Sequence, residues 1–221
     1  MSGVLYQYPK QALFGKVLPK NKIYQHARLG SALKERFVTQ IEKIIWKYKL
    51  APETVNLPAR RSVPEIQIFE IHLKTPDLKN EVLRCIDQAV PFPILYELHY
   101  QSQIKLTAAY KRPNDADANK WVVDEYLSYP WLSDNTERIP LPTALNLGSL
   151  YEQILRSMIP TAPQVGETLS SQIHRYAQIQ KKQNEYRKLE MKLHNEKQFN
   201  RKVDINAQIR TIQQELAKLT A

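Results

Sequence analysis

All fourteen prolines of this chain lie within its first 163 residues, and the last 58 residues contain none. Proline lacks a backbone donor and clashes with the preceding helical turn, so it ends or kinks helices. The proline-free stretch is therefore open to long, uninterrupted helix. The region before it is punctuated at Pro52, Pro58, Pro64, Pro91, Pro93, Pro130, Pro140 and Pro142 and must be built from short elements. Two domains are expected: a folded unit over residues 1–163 and a basic helical tail over 164–221.

Within the folded unit, residues 1–30 read as an irregular arm with apolar residues scattered among lysines. Ser31 is a candidate N-cap, and Leu33, Phe37, Ile41, Ile44, Ile45 and Tyr48 follow at spacings of one to four residues, so a helix is predicted up to Pro52. Residues 65–74 are rich in β-branched and aromatic side chains and read as a strand. Thr75-Pro76-Asp77 opens a helix over 78–89, stopped by Pro91 and Pro93. A second strand is predicted over 94–100. In a third, Ile104, Leu106, Ala108 and Tyr110 share one face while Lys105, Thr107 and Lys111 share the other. A fourth runs from Trp121 to Leu127, followed by a connector over 130–142 and a docked helix at about 145–159. Strands in succession without helices between them pair antiparallel. The expected class is thus α+β, an antiparallel sheet of about four strands with helices on one face.

The tail carries a heptad stripe, Ile205, Ile209, Ile212, Leu216 and Leu219, spaced 4-3-4-3. A less regular stripe precedes it: Leu169, Ile173, Tyr176, Ile179, Tyr186, Leu189 and Leu193. Two architectures fit. A hairpin reversing near residues 194–200 buries both stripes within one chain. A single helix of roughly 54 residues, ~80 Å long, needs a partner chain or a dimer. The hairpin is the expected form, although no Gly or Pro marks its turn.

The chain has a formal net charge of +10, which favours acidic partners or nucleic acid. From residue 167 onward there are 11 Lys and Arg against 6 Asp and Glu, leaving 21 against 16 for the rest. Each part is therefore +5, but the tail is about a third as long. Lys181, Lys182, Arg187, Lys188, Lys197, Arg201 and Lys202 are the candidate contacts to an acidic partner or nucleic acid. A solvated coiled-coil face accounts for the same residues. With two tyrosines and one phenylalanine, the tail is no stacking platform for single strands.

Several function classes are excluded early. No apolar run approaches the ~20 residues of a membrane span. The N-terminus has no apolar export segment, so the expected location is cytoplasmic. The one cysteine, Cys85, sits in an amphipathic stretch with Leu78, Val82 and Ile86 and reads as core. The five glycines are scattered, so no phosphate-cradling loop exists. His26, His72, His99, His174 and His194 show no ligand spacing, and neither metal nor cofactor is expected. Restriction-type nucleases gather carboxylates and a lysine on neighbouring strands around a divalent cation. Glu70, Asp87, Glu97, Lys105 and Asp124 are the residues a sheet could gather here. No acidic-x-Lys triplet ends a predicted strand after a suitable acidic residue, so a nuclease is the alternative and no residue is assigned as catalytic.

Two segments, Phe14-Gly-Lys-Val-Leu-Pro-Lys-Asn-Lys-Ile-Tyr24 and Glu196-Lys-Gln-Phe-Asn-Arg-Lys-Val-Asp-Ile-Asn206, resemble a bacterial and archaeal family known only as a domain of unknown function. The likeness spans nearly the whole chain. Members of that family are encoded beside superfamily-2 helicases and DNA methyltransferases in restriction-like and phage-defence loci. The resemblance implies a non-catalytic accessory subunit with a helicase or methyltransferase as partner and DNA as a further candidate. It carries over no site residues. A homodimeric coiled-coil scaffold is the third expectation.

Overall fold

In a computed structural model the chain is described over residues 5–27, 30–114, 116–117 and 120–220, and the side chains over all of these except 26 and 27. The first four residues of the expected arm, parts of the loop before Trp121 and the side chain of His26 thus lie outside the described residues. The chain divides into two compact units, Met1–Met158 and Ile159–Ala221.

The first unit runs β1 (Tyr6–Gln7), β2 (Leu13–Val17), α1 (Lys20–Ala27), α2 (Ser31–Gln40), β3 (Ile41–Leu50), α3 (Pro52–Val55), β4 (Ile66–Leu73), α4 (Asn80–Ala89), β5 (Ile94–Tyr100), β6 (Gln103–Pro113), β7 (Trp121–Ser128), β8 (Leu132–Ser133), β9 (Ile139–Pro140) and α5 (Leu147–Ser157). Its seven-stranded sheet has the order β2-β3-β4-β5-β6-β7, with β8 also pairing with β6. β4 and β5 are parallel, and the other adjacent pairs are antiparallel. The class is α+β as expected, but the sheet is larger than four strands and mixed.

Three causes account for the difference. First, the helix predicted from Ser31 stops at Gln40, and residues 41–50 form the ten-residue strand β3. Apolar spacing in Ile41-Glu-Lys-Ile-Ile-Trp-Lys-Tyr-Lys-Leu50 suits either state, whereas its β-branched and aromatic content suits a pleated, half-buried surface. Second, the arm contributes β2, which pairs with β3, and the expected connector over 130–142 contributes β8, which pairs with β6. Third, α4 is a crossover that returns the chain to lay β5 beside β4 in parallel, a connection that hairpin turns cannot make.

One sheet face is covered by α1, α2 and α4. Phe69, Ile71, Tyr96 and Leu98 from the central strands pack there with Phe37, Val82, Leu83 and Ile86, and Cys85 joins this cluster. By alternation Ile66, Ile68 and Leu95 point to the other face, and they too are buried. Helices on one face only would have left them in water. On that side α5 reaches β6 through Tyr151, whose hydroxyl donates to the Ala109 carbonyl at 2.7 Å. Strands buried on both faces read as continuous apolar runs, which explains Ile66, Ile68, Phe69 and Ile71 in close succession.

The second unit is an antiparallel hairpin of α6 (Leu169–Asn195) and α7 (Phe199–Thr220). Thr168 caps α6, its hydroxyl accepting from the Ser171 amide at 3.2 Å. The reversal at 196–198 needs no glycine. The Glu196 carboxylate accepts the backbone amides of Lys197 and Gln198, both at 2.9 Å, where α7 begins. An acidic side chain there also meets the positive end of the helix dipole. Among the described residues no helix is long and apolar enough to cross a membrane.

Candidate functional site

The sequence contains the same tripeptide pattern twice, Glu70-Ile-His72 and Glu97-Leu-His99. In a strand, residues two apart share a face. Parallel pairing places Glu70 opposite Glu97 and His72 opposite His99. Two carboxylates and two imidazoles thus stand side by side towards the C-terminal ends of adjacent parallel strands. The imidazoles stack, with ring centroids 5.1 Å apart and planes inclined by 20°.

Two neighbouring glutamates on a buried sheet repel unless cations meet them. Lys47 meets Glu70. It is the extra residue of a bulge between the pairs Trp46–Phe69 and Tyr48–Ile68. A bulge re-aims the side chain that it leaves unpaired, and the Lys47 ammonium lies 2.9 Å from Glu70 Oε2. His72 Nε2 donates to Glu70 Oε1 at 2.7 Å. Arg138 meets Glu97, both guanidinium nitrogens donating to its carboxylate at 2.7 and 2.8 Å. Arg138 directly precedes β9, which pairs with β1, and it also donates to the Tyr6 carbonyl at 2.9 Å. The N-terminal segment therefore helps to position the arginine.

Electrostatics follow from this geometry. Burial opposes the charge on Glu70, but the hydrogen bonds from Lys47 and His72 outweigh it and hold the carboxyl below its usual range. Burial pushes the His99 imidazole down, and the attraction of Glu70 and Glu97 only partly offsets it. Tyr8 is pushed well up, first by burial and then by Glu97. His99 Nε2 is buried without a hydrogen-bond partner among the described residues.

Of the five residues expected for a nuclease, the sheet brings Glu70 and Glu97 together. Lys105 instead sits over the Trp131 ring at 4.6 Å, and Asp124 lies on β7. Asp87 lies on α4, where its carboxylate accepts from the Tyr126 hydroxyl at 2.5 Å and approaches the Lys111 ammonium to 3.6 Å. Among the described residues no three His, Cys, Asp or Glu side chains are grouped so as to hold a metal. Lys47, Arg138 and Tyr8 were missed by sequence reasoning. The doubled Glu-x-His pattern was the available signal for the site; nothing local marked Arg138, 41 residues from Glu97.

In the hairpin unit, Ile205, Ile209 and Ile212 are buried, and Leu216 and Leu219 are half-buried. From α6, Ile173 and Ile179 are buried. Of the seven basic candidates, Lys182 bridges Glu185 at 3.4 Å and Glu215 at 2.7 Å, joining the helices. Arg201 lies 4.0 Å from Glu196. Lys181, Arg187, Lys188, Lys197 and Lys202 are exposed and make no ion pair among the described residues. Around the reversal, Met191, Phe199 and Val203 are 61%, 78% and 52% exposed.

Residues 7–216 match the model of a family described as Domain of unknown function (DUF4391). No curated protein and no solved structure matches the chain significantly.

Proposed function

The chain belongs to that family of unknown function, and we propose that it is a cytoplasmic, non-catalytic accessory subunit of a bacterial DNA-processing or phage-defence assembly, docking through its hairpin on a helicase or methyltransferase partner. The observation that carries this reading is the hairpin surface. Cations without an ion pair among the described residues occur on both helices, and Met191, Phe199 and Val203 around the reversal are exposed. Exposed apolar side chains rimmed by charge mark interaction surfaces. The resemblance to a family encoded beside helicases and methyltransferases supplies the partner class. The test is affinity capture of the native protein, followed by nuclease treatment. A partner enzyme retained after DNA is destroyed is the expected result. Loss of every associated protein with the DNA would replace the adaptor with a DNA-binding subunit.

A metal-dependent nuclease subunit is the second reading, favoured by one observation: Glu70 and Glu97 lie in register on parallel strands with Lys47 at hand. Both carboxylates are engaged by cations, so metal binding would require those ion pairs to open. Plasmid DNA incubated with the pure protein in magnesium or manganese should stay intact. Cleavage abolished by Glu70→Gln would establish the second reading instead.

A further inference from the structure

Two helices cannot enclose a core, and one side of the hairpin shows the consequence. A cleft of about 480 Å³ lies between α6 and α7, and a second of about 430 Å³ adjoins it, sharing Lys182 and Glu215. Together they form a groove from Leu219 to Gln208, ~16 Å at ~1.5 Å per residue, or three helical turns. Its lining includes apolar side chains, Leu189, Ile212 and Leu219, and the cations Lys181, Lys188 and Lys218, none of which has an ion pair among the described residues. The central Lys182 is already neutralised by Glu185 and Glu215.

We infer that this groove takes an amphipathic helix of a partner protein, with an apolar stripe flanked by acidic residues. The inference deepens the docking role proposed above and rests on it. The groove's length suits the i, i+3, i+4, i+7 anchors of a helix laid in a groove. Charge complementarity selects the occupant. The lining carries four lysines against two glutamates, so acidic flanks are attracted and basic ones repelled. A second copy of this hairpin brings a further net charge of +5 against the first, which disfavours self-pairing. Duplex DNA matches the lysines but leaves the half-buried Leu189 and Leu219 without an apolar counterpart.

The full-length protein is titrated with a synthetic 21-residue helical peptide bearing leucine at heptad positions a and d and glutamate at e and g. A peptide with lysine at e and g and a short duplex DNA are the other probes. The glutamate peptide should bind, and the lysine peptide should not. Lys181→Glu with Lys188→Glu and Lys218→Glu should weaken the glutamate peptide about tenfold or more, with helicity by circular dichroism unchanged. Equal binding of both peptides, no binding of the glutamate peptide, or an unaltered affinity in the triple variant overturns the inference. DNA that binds in competition with the peptide and is lost in the same variant overturns it in favour of a nucleic-acid groove. Native capture separates the two levels. A partner enzyme held equally by wild type and triple variant sinks the groove and leaves the hairpin's docking role standing.

Discussion

Lys111 on β6 and Asp87 on α4 form a salt bridge at 3.6 Å with side chains 0% and 2% exposed. The ammonium also donates to the backbone carbonyls of Asp87 and Val90, so a cation caps the C-terminal end of α4. Burial pushes the Lys111 ammonium down to about 8, with Asp87 opposing the shift. Lys111→Met leaves a buried carboxylate and two carbonyls without their cation and should cost roughly 3–5 kcal/mol. Adding Asp87→Asn should recover part of that loss. Urea unfolding of the three variants measures both effects. Between about pH 8 and the ~10.4 of an unfolded lysine, the unfolded chain binds the proton that the folded chain has released, so this group's contribution rises with pH. The wild type should gain stability over that range relative to Lys111→Met.

Arg138→Met should be among the more damaging single changes in the first unit. Its two bonds hold a Glu97 side chain only 3% exposed. Removing one partner of a buried pair leaves an uncompensated charge, at a cost of about 3 kcal/mol or more. Arg138→Lys keeps the charge but cannot reproduce the planar two-point grip. It should recover less than half of the loss in a chemical-denaturation series.

Much of this arrangement was legible in the sequence, and the parts that were not share a cause. Strand alternation in β6 and the proline stops around α4 are local signals, as is the 4-3-4-3 stripe of α7. The strand β3 was hidden because Ile41, Ile44, Ile45 and Tyr48 also fit helical spacing. Its state is decided by pairing with β2 and β4 on either side. The site was half legible. Glu70, His72, Glu97 and His99 read as strand positions, but their adjacency depends on parallel pairing, which only the crossover through α4 creates. Lys47 reaches Glu70 through a bulge, and Arg138 reaches Glu97 through the ladder between β1 and β9. Neither device leaves a periodicity to read.

His99 gives the first unit a sensitivity to acid. Burial depresses its imidazole below the ordinary value, so the folded chain resists the proton that the unfolded chain accepts near pH 6.5. Stability from this group is therefore present above about pH 6.5 and falls as pH drops below it. His99→Asn removes the titration. Melting temperatures at pH 7.5 and pH 5.5 should differ more in wild type than in the variant. An equal difference would mean that other groups, the carboxylates first among them, carry the acid response.

The seam of the hairpin gives the remaining prediction. Ile205, Ile209 and Ile212 are 3%, 8% and 9% exposed, and burial of each side chain is worth roughly 1.5–3 kcal/mol. The polar ties between the helices include a partly exposed ion pair, Lys182 to Glu215, and two hydrogen bonds, from Gln213 to the Tyr186 hydroxyl at 3.4 Å and from Arg175 to the Leu219 carbonyl at 3.1 Å. Exposed ion pairs contribute about 1 kcal/mol at most, so apolar burial must hold the hairpin closed. Ile209→Asp with Ile212→Asp removes two of the three buried side chains of α7 and would bury two charges without partners. Neither isolated helix is strongly stable in water, because most helical stability in proteins comes from a packed face. The double variant should therefore lose ellipticity at 222 nm corresponding to much of α6 and α7. Its molar mass by light scattering should equal that of the wild type, since both stripes belong to one chain. A wild type that is oligomeric and a variant that dissociates would mean that the seam joins chains. Unchanged helicity and mass would mean that the seam does not hold the free hairpin together.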